Sequence, residues 1–212
     1  MRAYVVASSP NAIEPDFDCP RSGDLVIAAD GGANWCAAWG WYPDLIVGDM
    51  DSINPAIAEQ FRAQDVPFDY HPVEKDQTDL ELAIGHALAC GADEIVIAGA
   101  LGARIDHTLG NLTLLALPAL DRVRTSLVDD GQTIWLVGDK LSIEGQSGDI
   151  LSLIPFGVDA LGVSVNGVHW PLEQADLPLG PTLGISNRLT GAHVEVRVRT
   201  GRVLVVHTRQ DR

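Results

Sequence analysis

Two aspartates behind a short apolar run have the spacing of a cation site. Asp49 and Asp51 follow the predicted strand Leu45–Val47 and lie two residues apart, so in extended backbone both side chains point to the same side. Two such carboxylates repel each other unless a cation lies between them, and oxygen ligands of this kind suit Mg²⁺, which shares phosphate oxygens with a substrate. The alternative is a solvated turn in which Asp51 or Ser52 caps a helix that begins at Pro55.

A glycine pair follows the preceding predicted strand, in the segment Asp30-Gly-Gly-Ala-Asn34. Gly31 and Gly32 would let the backbone approach a ligand closely, and the next helix would offer free N–H groups to an anion. A simple tight turn explains the same residues, so this segment points to a ligand only together with its neighbours.

Two later loops are crowded with polar side chains. Glu74-Lys-Asp-Gln-Thr-Asp-Leu80 opens the most regular predicted helix, where Asp76 or Thr78 can be the N-cap but cannot account for all the acidic and amide groups. Gly99-Ala-Leu-Gly-Ala-Arg-Ile-Asp-His-Thr-Leu-Gly-Asn111 follows the next strand, and its arginine, Arg104, offers a planar fork suited to phosphate. The histidine of that loop, taken alone, is typical of a capping or structural residue.

These loops must be held at one edge of a sheet. Short apolar runs alternate with helical patterns, which favours a mostly parallel sheet covered on both faces, and ligands of such sheets collect at the carboxyl ends of the strands. The predicted strands are 4–7, 25–29, 45–47, 68–71, 94–98 and 126–128, and the predicted helices are 33–39, 55–64, 78–90 and 107–117.

The remainder of the chain lacks helical periodicity. Short strands follow one another between glycine-rich turns from about residue 130, which predicts an all-β sandwich or barrel-like sheet. We expect a hairpin in which Val194–Thr200 turns at Gly201 into Val203–Val206. The predicted strands are 133–137, 140–144, 150–155, 162–165, 193–200 and 202–208. The chain is thus divided into an α/β domain, residues 1–129, and a β-sandwich domain, residues 130–212.

Composition narrows the possible partners. The 212 residues carry a net charge of −15 without a lysine- or arginine-rich run, which disfavours nucleic-acid binding. A polyanionic substrate would therefore need a metal and a few well-placed cations. Three widely spaced cysteines without a Cys-x-x-Cys pair, no apolar run of about 18 residues and a short apolar N-terminus predict a soluble cytoplasmic protein.

The loop chemistry predicts a reaction class. The sequence contains neither Gly-x-x-x-x-Gly-Lys-Ser/Thr nor Gly-x-Ser-x-Gly, which argues against a P-loop enzyme and a serine hydrolase. Carboxylates that hold Mg²⁺, with an arginine beside them, are the equipment of phosphoryl-type transfer, in which positioning and charge neutralisation supply most of the catalysis.

Five segments in one order resemble the thiamine pyrophosphokinase family, over almost the whole chain. They are Asp30–Asn34, Gly48-Asp-Met-Asp-Ser52, Lys75-Asp-Gln-Thr-Asp79, Gly99–Asn111 and Ser186-Asn187. The resemblance implies an α/β nucleotide-binding domain, a β-sandwich that helps to bind thiamine, and a homodimer with its sites between the two kinds of domain of different subunits. It also implies Mg²⁺-dependent transfer of the pyrophosphoryl group of ATP to the hydroxyethyl oxygen of thiamine, releasing AMP.

Position by position, the resemblance implies roles for individual residues. Metal ligands are Asp49, Asp51 and Asp79. Nucleotide and phosphate contacts are Asp30, Gly31, Gly32, Asn34, Gln77, Thr78, Arg104, Asp106 and His107, and thiamine contacts are Trp170, Ser186 and Asn187. Asp51, Asp79, Arg104 and Asp106 are the catalytic candidates. Trp170 has core packing as its alternative, and Arg188 departs from the residue expected after Ser-Asn.

Two other functions compete with this one. A pyrophosphokinase for another hydroxyalkyl heterocycle, such as a pterin, would keep the metal and ATP loops while Trp170, Ser186 and Asn187 had no role. A non-catalytic nucleotide- or thiamine-binding module would need a broken metal site, yet Asp49, Asp51 and Asp79 are all present.

Overall fold

A computed structural model describes residues 1–15, 19–102 and 104–210. Ala103 of the predicted phosphate loop and residues 211–212 of the predicted sandwich lie outside the described residues. The chain divides into two compact units, Met1–Asp130 and Gly131–Arg212. Among the described residues, no helix has both the length and the apolar character that crossing a membrane requires.

The first unit alternates strands and helices. Its strands are β1 (Arg2–Val6), β2 (Leu25–Ala29), β3 (Leu45–Gly48), β4 (Phe68–Tyr70), β5 (Glu94–Ala98) and β6 (Arg124–Asp129). Its helices are α1 (Gly32–Trp39), α2 (Pro55–Ala63), α3 (Asp79–Ala89) and α4 (Ile105–Leu114), with a short 3₁₀ turn at Pro118–Leu120. The predicted α/β pattern is confirmed, with end points that differ by a few residues.

All six strands are parallel and lie in the order β6-β5-β1-β2-β3-β4. Side chains alternate between the faces: Tyr4 and Val6 pack with the residues of α1 and α2, whereas Val5 is buried on the other face. Helix α3 packs on β1, β2 and β3 with Leu80, Ala83, Ile84 and Ala87 buried. The sheet is therefore covered by helices on both faces.

The strand order indicates where along the edge of this sheet a ligand can bind. The chain runs outward from β1 through β2 and β3 to β4, then returns to the other side of β1 with β5. The loops that leave β1 and β5 consequently diverge to opposite faces, and the crevice between them is the point at which open α/β sheets bind ligands.

The regular elements of the second unit, over residues 131–210, are all strands. Its strands are β7 (Gln132–Val137), β8 (Lys140–Glu144), β9 (Ile150–Pro155), β10 (Ala160–Asn166), β11 (Leu172–Leu177), β12 (Asn187–Arg188), β13 (His193–Arg197) and β14 (Val203–Thr208). Strands β12-β9-β14-β7 form one antiparallel layer and β11-β10-β13-β8 form the other. One core contains residues from both layers, including Leu151, Val163, Val196 and Val205, so the unit is the predicted sandwich.

The predicted hairpin at Gly201 is wrong. Strand β13 pairs with β8 and β10, whereas β14 pairs with β7 and β9 in the other layer. Gly201 adopts φ +83°, and a Cβ there would lie 2.4 Å from the carbonyl oxygen of Asp159. This turn carries the chain between layers because Val194 and Val203 fill the same core from opposite sides.

Candidate active site

Three carboxylates converge where β2 and β3 end. Oxygen atoms of Asp30, Asp49 and Asp51 all lie within 4.8 Å of one another. The backbone bends sharply to place them: Asp30 and Met50 have φ angles of +45° and +66°, in the left-handed region that non-glycine residues seldom adopt. The strained turns bring together carboxylates that follow two strands. Because Met50 is left-handed, the segment from Asp49 to Asp51 is not the extended backbone that the spacing predicts.

Gly48 allows a fourth carboxylate to approach this cluster. It has φ +145°, and a Cβ on it would lie 3.0 Å from both the Cβ of Asp30 and the Cγ of Asp79. Asp79 is the first residue of α3, whose N-cap is Thr78: the Thr78 hydroxyl accepts a hydrogen bond from the Glu81 N–H at 3.2 Å. Thr78 is therefore the residue of this loop that caps the helix, as one of the two predicted candidates.

Lys75 lies between two of the acids. Its Nζ is 3.0 Å from Asp79 Oδ1 and 3.6 Å from Asp49 Oδ2, and its side chain is only 14% exposed. Burial alone would lower the pKa of Lys75, but the hydrogen bonds and charges of Asp79 and Asp49 outweigh it, and the pKa is raised. The ammonium group therefore carries its charge where the carboxylates need a cation.

Asp30 is the most buried carboxylate of the cluster, with 5% exposure. Burial raises its pKa, against hydrogen bonds from Ser52 and the Gly31 backbone that lower it, and the charge of Asp49 adds to the rise. A cation at this position would favour the ionised form that burial disfavours.

Neighbouring polar groups hold the acidic loops in place. Asn34 donates from Nδ2 to the Ser52 carbonyl at 3.0 Å and accepts from the Asn54 N–H at 2.9 Å. Both ends of this amide thus tie α1 to the loop after β3. Gly32 also has a packing role, since a Cβ on it would lie 2.0 Å from the Val6 carbonyl oxygen.

A cavity of about 310 Å³ opens beside these acids at the crevice between β1 and β5. The loop after β1, the start of α3, and the β5–α4 segment line it, with Ser8, Ser9, Thr78, Asp79, Arg104 and His107 among the lining residues. Gln77 is not one of the residues that line this cavity. Its Nε2 donates a hydrogen bond to Glu81 Oε1 at 3.1 Å.

Arg104 and Asp106 form an exposed ion pair at this cavity. Arg104 Nη2 lies 2.6 Å from Asp106 Oδ2, and both side chains are about two-thirds exposed, at 68% and 66%. The hydrogen bond to Asp106 raises the pKa of Arg104, and the same bond lowers the pKa of Asp106. The guanidinium is held at the cavity but remains open to exchange its carboxylate for another anion.

Several lining residues are absent from the sequence-based assignment. Ser9 donates from its hydroxyl to the Leu101 carbonyl, and Asn111 donates from Nδ2 to the Ala100 carbonyl at 2.7 Å, so both fasten the loop after β5. The loop after β1 has no motif of its own. Only the neighbourhood of β1 and β5, a tertiary feature, identifies it.

In the second unit, Asn187 holds the backbone of Trp170. Asn187 Oδ1 accepts from the Trp170 N–H at 3.1 Å, and its Nδ2 donates to the Trp170 carbonyl at 2.7 Å. Ser186 has φ +64°, and its N–H donates to the Ser152 hydroxyl at 3.1 Å. The Trp170 side chain is 58% exposed and contacts the His169 ring edge-on, so core packing does not explain this tryptophan.

A parallel α/β unit with an oxygen-only acidic cluster beside a crevice, followed by a β-sandwich, defines an enzyme of the phosphotransferase class. Comparison with known proteins identifies the family. The family description "Thiamin pyrophosphokinase, catalytic domain" matches residues 20–127, and "Thiamin pyrophosphokinase, vitamin B1 binding domain" matches residues 140–203. The chain belongs to the thiamin pyrophosphokinase family.

Individual relatives agree with this assignment. Thiamine pyrophosphokinase of Bacillus subtilis is 32% identical over 188 residues, which cover 87% of this chain and 88% of that relative. The crystal structure of thiamine pyrophosphokinase from Bacillus subtilis matches with a TM-score of 0.90 at 30% identity over 100% of both chains. The structure from Geobacillus thermodenitrificans matches with a TM-score of 0.85 at 26% identity, over 100% of this chain and 99% of that one.

Proposed function

We propose that this chain transfers the pyrophosphoryl group of ATP to the hydroxyethyl oxygen of thiamine, giving thiamine diphosphate and AMP, with Mg²⁺ as cofactor. The convergence of Asp30, Asp49 and Asp51 at the edge of the sheet carries the proposal. The membership in the thiamin pyrophosphokinase family supplies the substrate class.

The donor set suits Mg²⁺. Asp49, Asp51 and Asp79 are the proposed ligands, with Asp30 beside them, and all supply oxygen, the ligand atom that Mg²⁺ prefers. Asp79 Oδ1 is buried, and its contact is Lys75 Nζ at 3.0 Å. Bound Mg²⁺ would neutralise phosphate charge and help to align the reacting groups.

The proposed nucleotide site is the crevice between β1 and β5. The N-terminus of α3 at Thr78 faces this cavity and attracts anions, while Arg104 supplies a guanidinium that can exchange Asp106 for phosphate oxygens. His107 also lines the cavity and is placed to contact the nucleotide. Because Asn34 and Gly32 are engaged by the protein itself, we assign them to shaping the loops rather than to direct contact.

The reaction needs little covalent chemistry from the protein. The thiamine hydroxyl oxygen forms a bond to the β-phosphorus of ATP, the bond from that phosphorus to the α–β bridging oxygen breaks, and AMP leaves with that oxygen. The hydroxyl proton passes to a carboxylate beside the acceptor. Positioning by the acidic cluster and charge neutralisation by Arg104 supply most of the rate.

Trp170, Ser186 and Asn187 are the proposed thiamine contacts. An exposed indole offers its face to the cationic thiazolium ring, and Asn187 fixes the backbone from which that indole projects. We assign Ser186 to the left-handed turn that precedes this asparagine.

We further propose a cytoplasmic homodimer whose sites combine the α/β unit of one subunit with the sandwich of the other. Helix α4 supports an association surface, because none of its side chains is buried and Ile105 and Leu109 are 74% and 58% exposed. Light scattering should give twice the chain mass. An active species of single-chain mass would contradict the dimer without touching the reaction.

Product analysis tests the reaction. The protein is incubated with ATP, Mg²⁺ and thiamine, and the products are separated by chromatography. We expect AMP and thiamine diphosphate in equal amounts and neither without Mg²⁺. ADP with thiamine monophosphate would mean that the protein is a simple kinase. AMP formed only with a pterin alcohol would mean that the protein is a pyrophosphokinase whose acceptor is not thiamine.

A further inference from the structure

A second cluster of metal-ligating side chains lies where the end of β4 meets α3, outside the acidic cluster. His86 Nε2 lies 2.7 Å from Asp69 Oδ2, and His71 Nε2 lies 3.1 Å from the same oxygen. One ligand atom from each of the three residues lies within 4.8 Å of the other two. The side chains are between 28% and 38% exposed, so solvent ions can reach them.

Local structure explains why these three groups meet. Asp69 lies in β4, and His71 directly follows the end of that strand two residues later, where its ring meets the same Asp69 oxygen as His86. The alternate residue Tyr70 points to the α2 side, where its hydroxyl accepts from Arg62 Nη2 at 2.8 Å. His86 reaches the Asp69 side from the last turn of α3.

This cluster is separate from the proposed Mg²⁺ site. Asp79 and His86 are seven residues apart on α3, which corresponds to roughly 10 Å along the helix axis. The two sites also differ in chemistry, since the acidic cluster offers only oxygen and this one offers two imidazole nitrogens and a carboxylate. The His71 N–H does donate to the Gly48 carbonyl at 2.9 Å, so the two loops are neighbours.

The hydrogen-bonding pattern shows what a metal would replace. Both imidazoles approach one carboxylate oxygen through Nε2, so in the metal-free protein each Nε2 must carry the proton that Asp69 accepts. A shift of each proton to Nδ1 frees both Nε2 lone pairs for a metal beside the Asp69 carboxylate. Tetrahedral Zn²⁺ with bonds of about 2.0–2.1 Å needs ligand atoms roughly 3.3 Å apart, so both histidine nitrogens would move away from Asp69 Oδ2, from which they lie 2.7 and 3.1 Å.

We propose that Asp69, His71 and His86 bind one transition-metal ion of the Zn²⁺ class. Imidazole nitrogen selects such ions over Mg²⁺, and three protein ligands leave a fourth position for water. Neither Nδ1 of the two histidines is hydrogen-bonded to a described residue, so no group behind the rings orients them toward a metal. The site is therefore expected to be weaker than a structural zinc site.

Occupancy would tie the end of β4 to the last turn of α3. The chain between His71 and His86 includes Lys75 and Thr78 of the loop and Asp79, the first residue of α3. A metal that binds this folded arrangement and not the unfolded chain stabilises the protein against unfolding by mass action.

Zinc titration of the purified full chain, with Mg²⁺ in excess, tests the proposal. Isothermal calorimetry should report one Zn²⁺ per chain, and Zn²⁺ should raise the melting temperature. His71→Gln and His86→Gln should each weaken this binding at least about tenfold. The matched control His193→Gln, which removes an exposed histidine paired with Glu144 in the other unit, should leave it unchanged.

Two further variants keep the test decisive. Asp51→Asn should retain zinc binding, because it alters only the acidic cluster. Asp69→Asn provides a third ligand change, and circular dichroism identifies any variant that has lost its fold. Zinc binding that survives in folded His71→Gln and His86→Gln proteins, or that disappears in Asp51→Asn, would overturn the proposal. Zinc binding and melting temperature are measured without turnover. Failure of the zinc proposal and failure of the proposed reaction can therefore be told apart.

Discussion

At the scale of single residues, the site depends on negative charge gathered at one point. Asp30, Asp49 and Asp51 repel one another, and Lys75 relieves part of that repulsion in the metal-free protein. A cation that binds here therefore gains both direct ligands and relief of the mutual repulsion. Two substitutions separate these contributions.

Asp51→Asn should reduce turnover by at least about 100-fold, because the amide keeps the shape of the side chain but removes a charge that the transition state requires. Initial rates at saturating ATP and thiamine, across a range of Mg²⁺ concentrations, measure the effect. Asp65→Asn is the matched control, since Asp65 is exposed at the turn after α2 and its φ of +59° suits asparagine equally well. An Asp51→Asn enzyme as active as the control would remove Asp51 from the metal site.

Lys75→Met should destabilise the metal-free protein by about 1–3 kcal/mol, because it leaves Asp79 and Asp49 without their mostly buried partner. Added Mg²⁺ should restore more stability to the variant than it adds to the natural protein, since it neutralises the same carboxylates. Thermal unfolding with and without Mg²⁺ measures both effects. An equal Mg²⁺ shift in the two proteins would show that Lys75 and the ion do not share these ligands.

At the scale of elements, loops are fixed by hydrogen bonds that the strand pattern does not reveal. Asn187 clamps the Trp170 backbone, and Asp149 clamps the end of the sandwich: its Oδ2 lies 2.9 Å from His207 Nε2, and its Oδ1 accepts from the Gln210 N–H at 3.1 Å. The first clamp presents an exposed ring, and the second buries a charge inside the unit.

Trp170→Ala should raise the KM for thiamine about tenfold and leave the KM for ATP unchanged, because a cation over an indole face contributes about 1–2 kcal/mol. Initial rates with each substrate varied in turn provide the measurement. Val158→Ala, which trims another exposed apolar side chain of the same unit, is the control. An unchanged KM for thiamine would show that Trp170 is an exposed surface residue that does not contact thiamine.

Asp149 should make the stability of the sandwich depend on acid pH. Burial alone would raise the pKa of Asp149, but hydrogen bonds from the Gln146 and Gln210 backbones and from His207 outweigh it and lower the pKa. Because the folded-state pKa lies below the unfolded value of about 3.9, this stability is present above that pH and is lost as the pH falls through the folded-state pKa.

Asp149→Asn should therefore cost about 1–3 kcal/mol at neutral pH, and the deficit should shrink as the pH falls below about 4. Calorimetric unfolding of both proteins at several pH values measures the difference. Glu173→Gln, an exposed carboxylate of the same unit, should show no such deficit. A deficit that is constant down to the lowest pH would mean that Asp149 acts through shape and not through charge.

At the scale of the whole molecule, the sequence predicts strands and helices with a regular local pattern and misses features that depend on tertiary contacts. Strands β2 and β5 end as predicted, because their apolar runs are bounded by polar or glycine residues. Strand β11 was not predicted, since Leu172–Leu177 alternates poorly and has a glutamine, Gln174, at φ +49°. The prediction of a hairpin at Gly201 is wrong because a glycine turn that joins two strands of one sheet has the same sequence pattern as a glycine turn that joins two sheets.

The candidate site divides in the same way. Aspartates two residues apart and a polar residue before a helix are sequence-local features, so Asp49 and Asp51 were expected together and either Asp76 or Thr78 was expected to cap α3; the cap is Thr78. The loop after β1 and the position of Lys75 required the strand order and the three-dimensional approach of α3 to Gly48. The thiamine-side residues remain predictions that the family resemblance supplies.

The measurement that bears most directly on pyrophosphoryl transfer uses ATP labelled at the β-phosphorus. The labelled ATP is incubated with Mg²⁺ and thiamine, and the label is followed through separated products. Attack of the thiamine oxygen on the β-phosphorus predicts that every thiamine diphosphate molecule carries the label and that AMP carries none. Label retained in ADP, with thiamine phosphorylated only from the γ-position, would contradict the transfer of an intact pyrophosphoryl group.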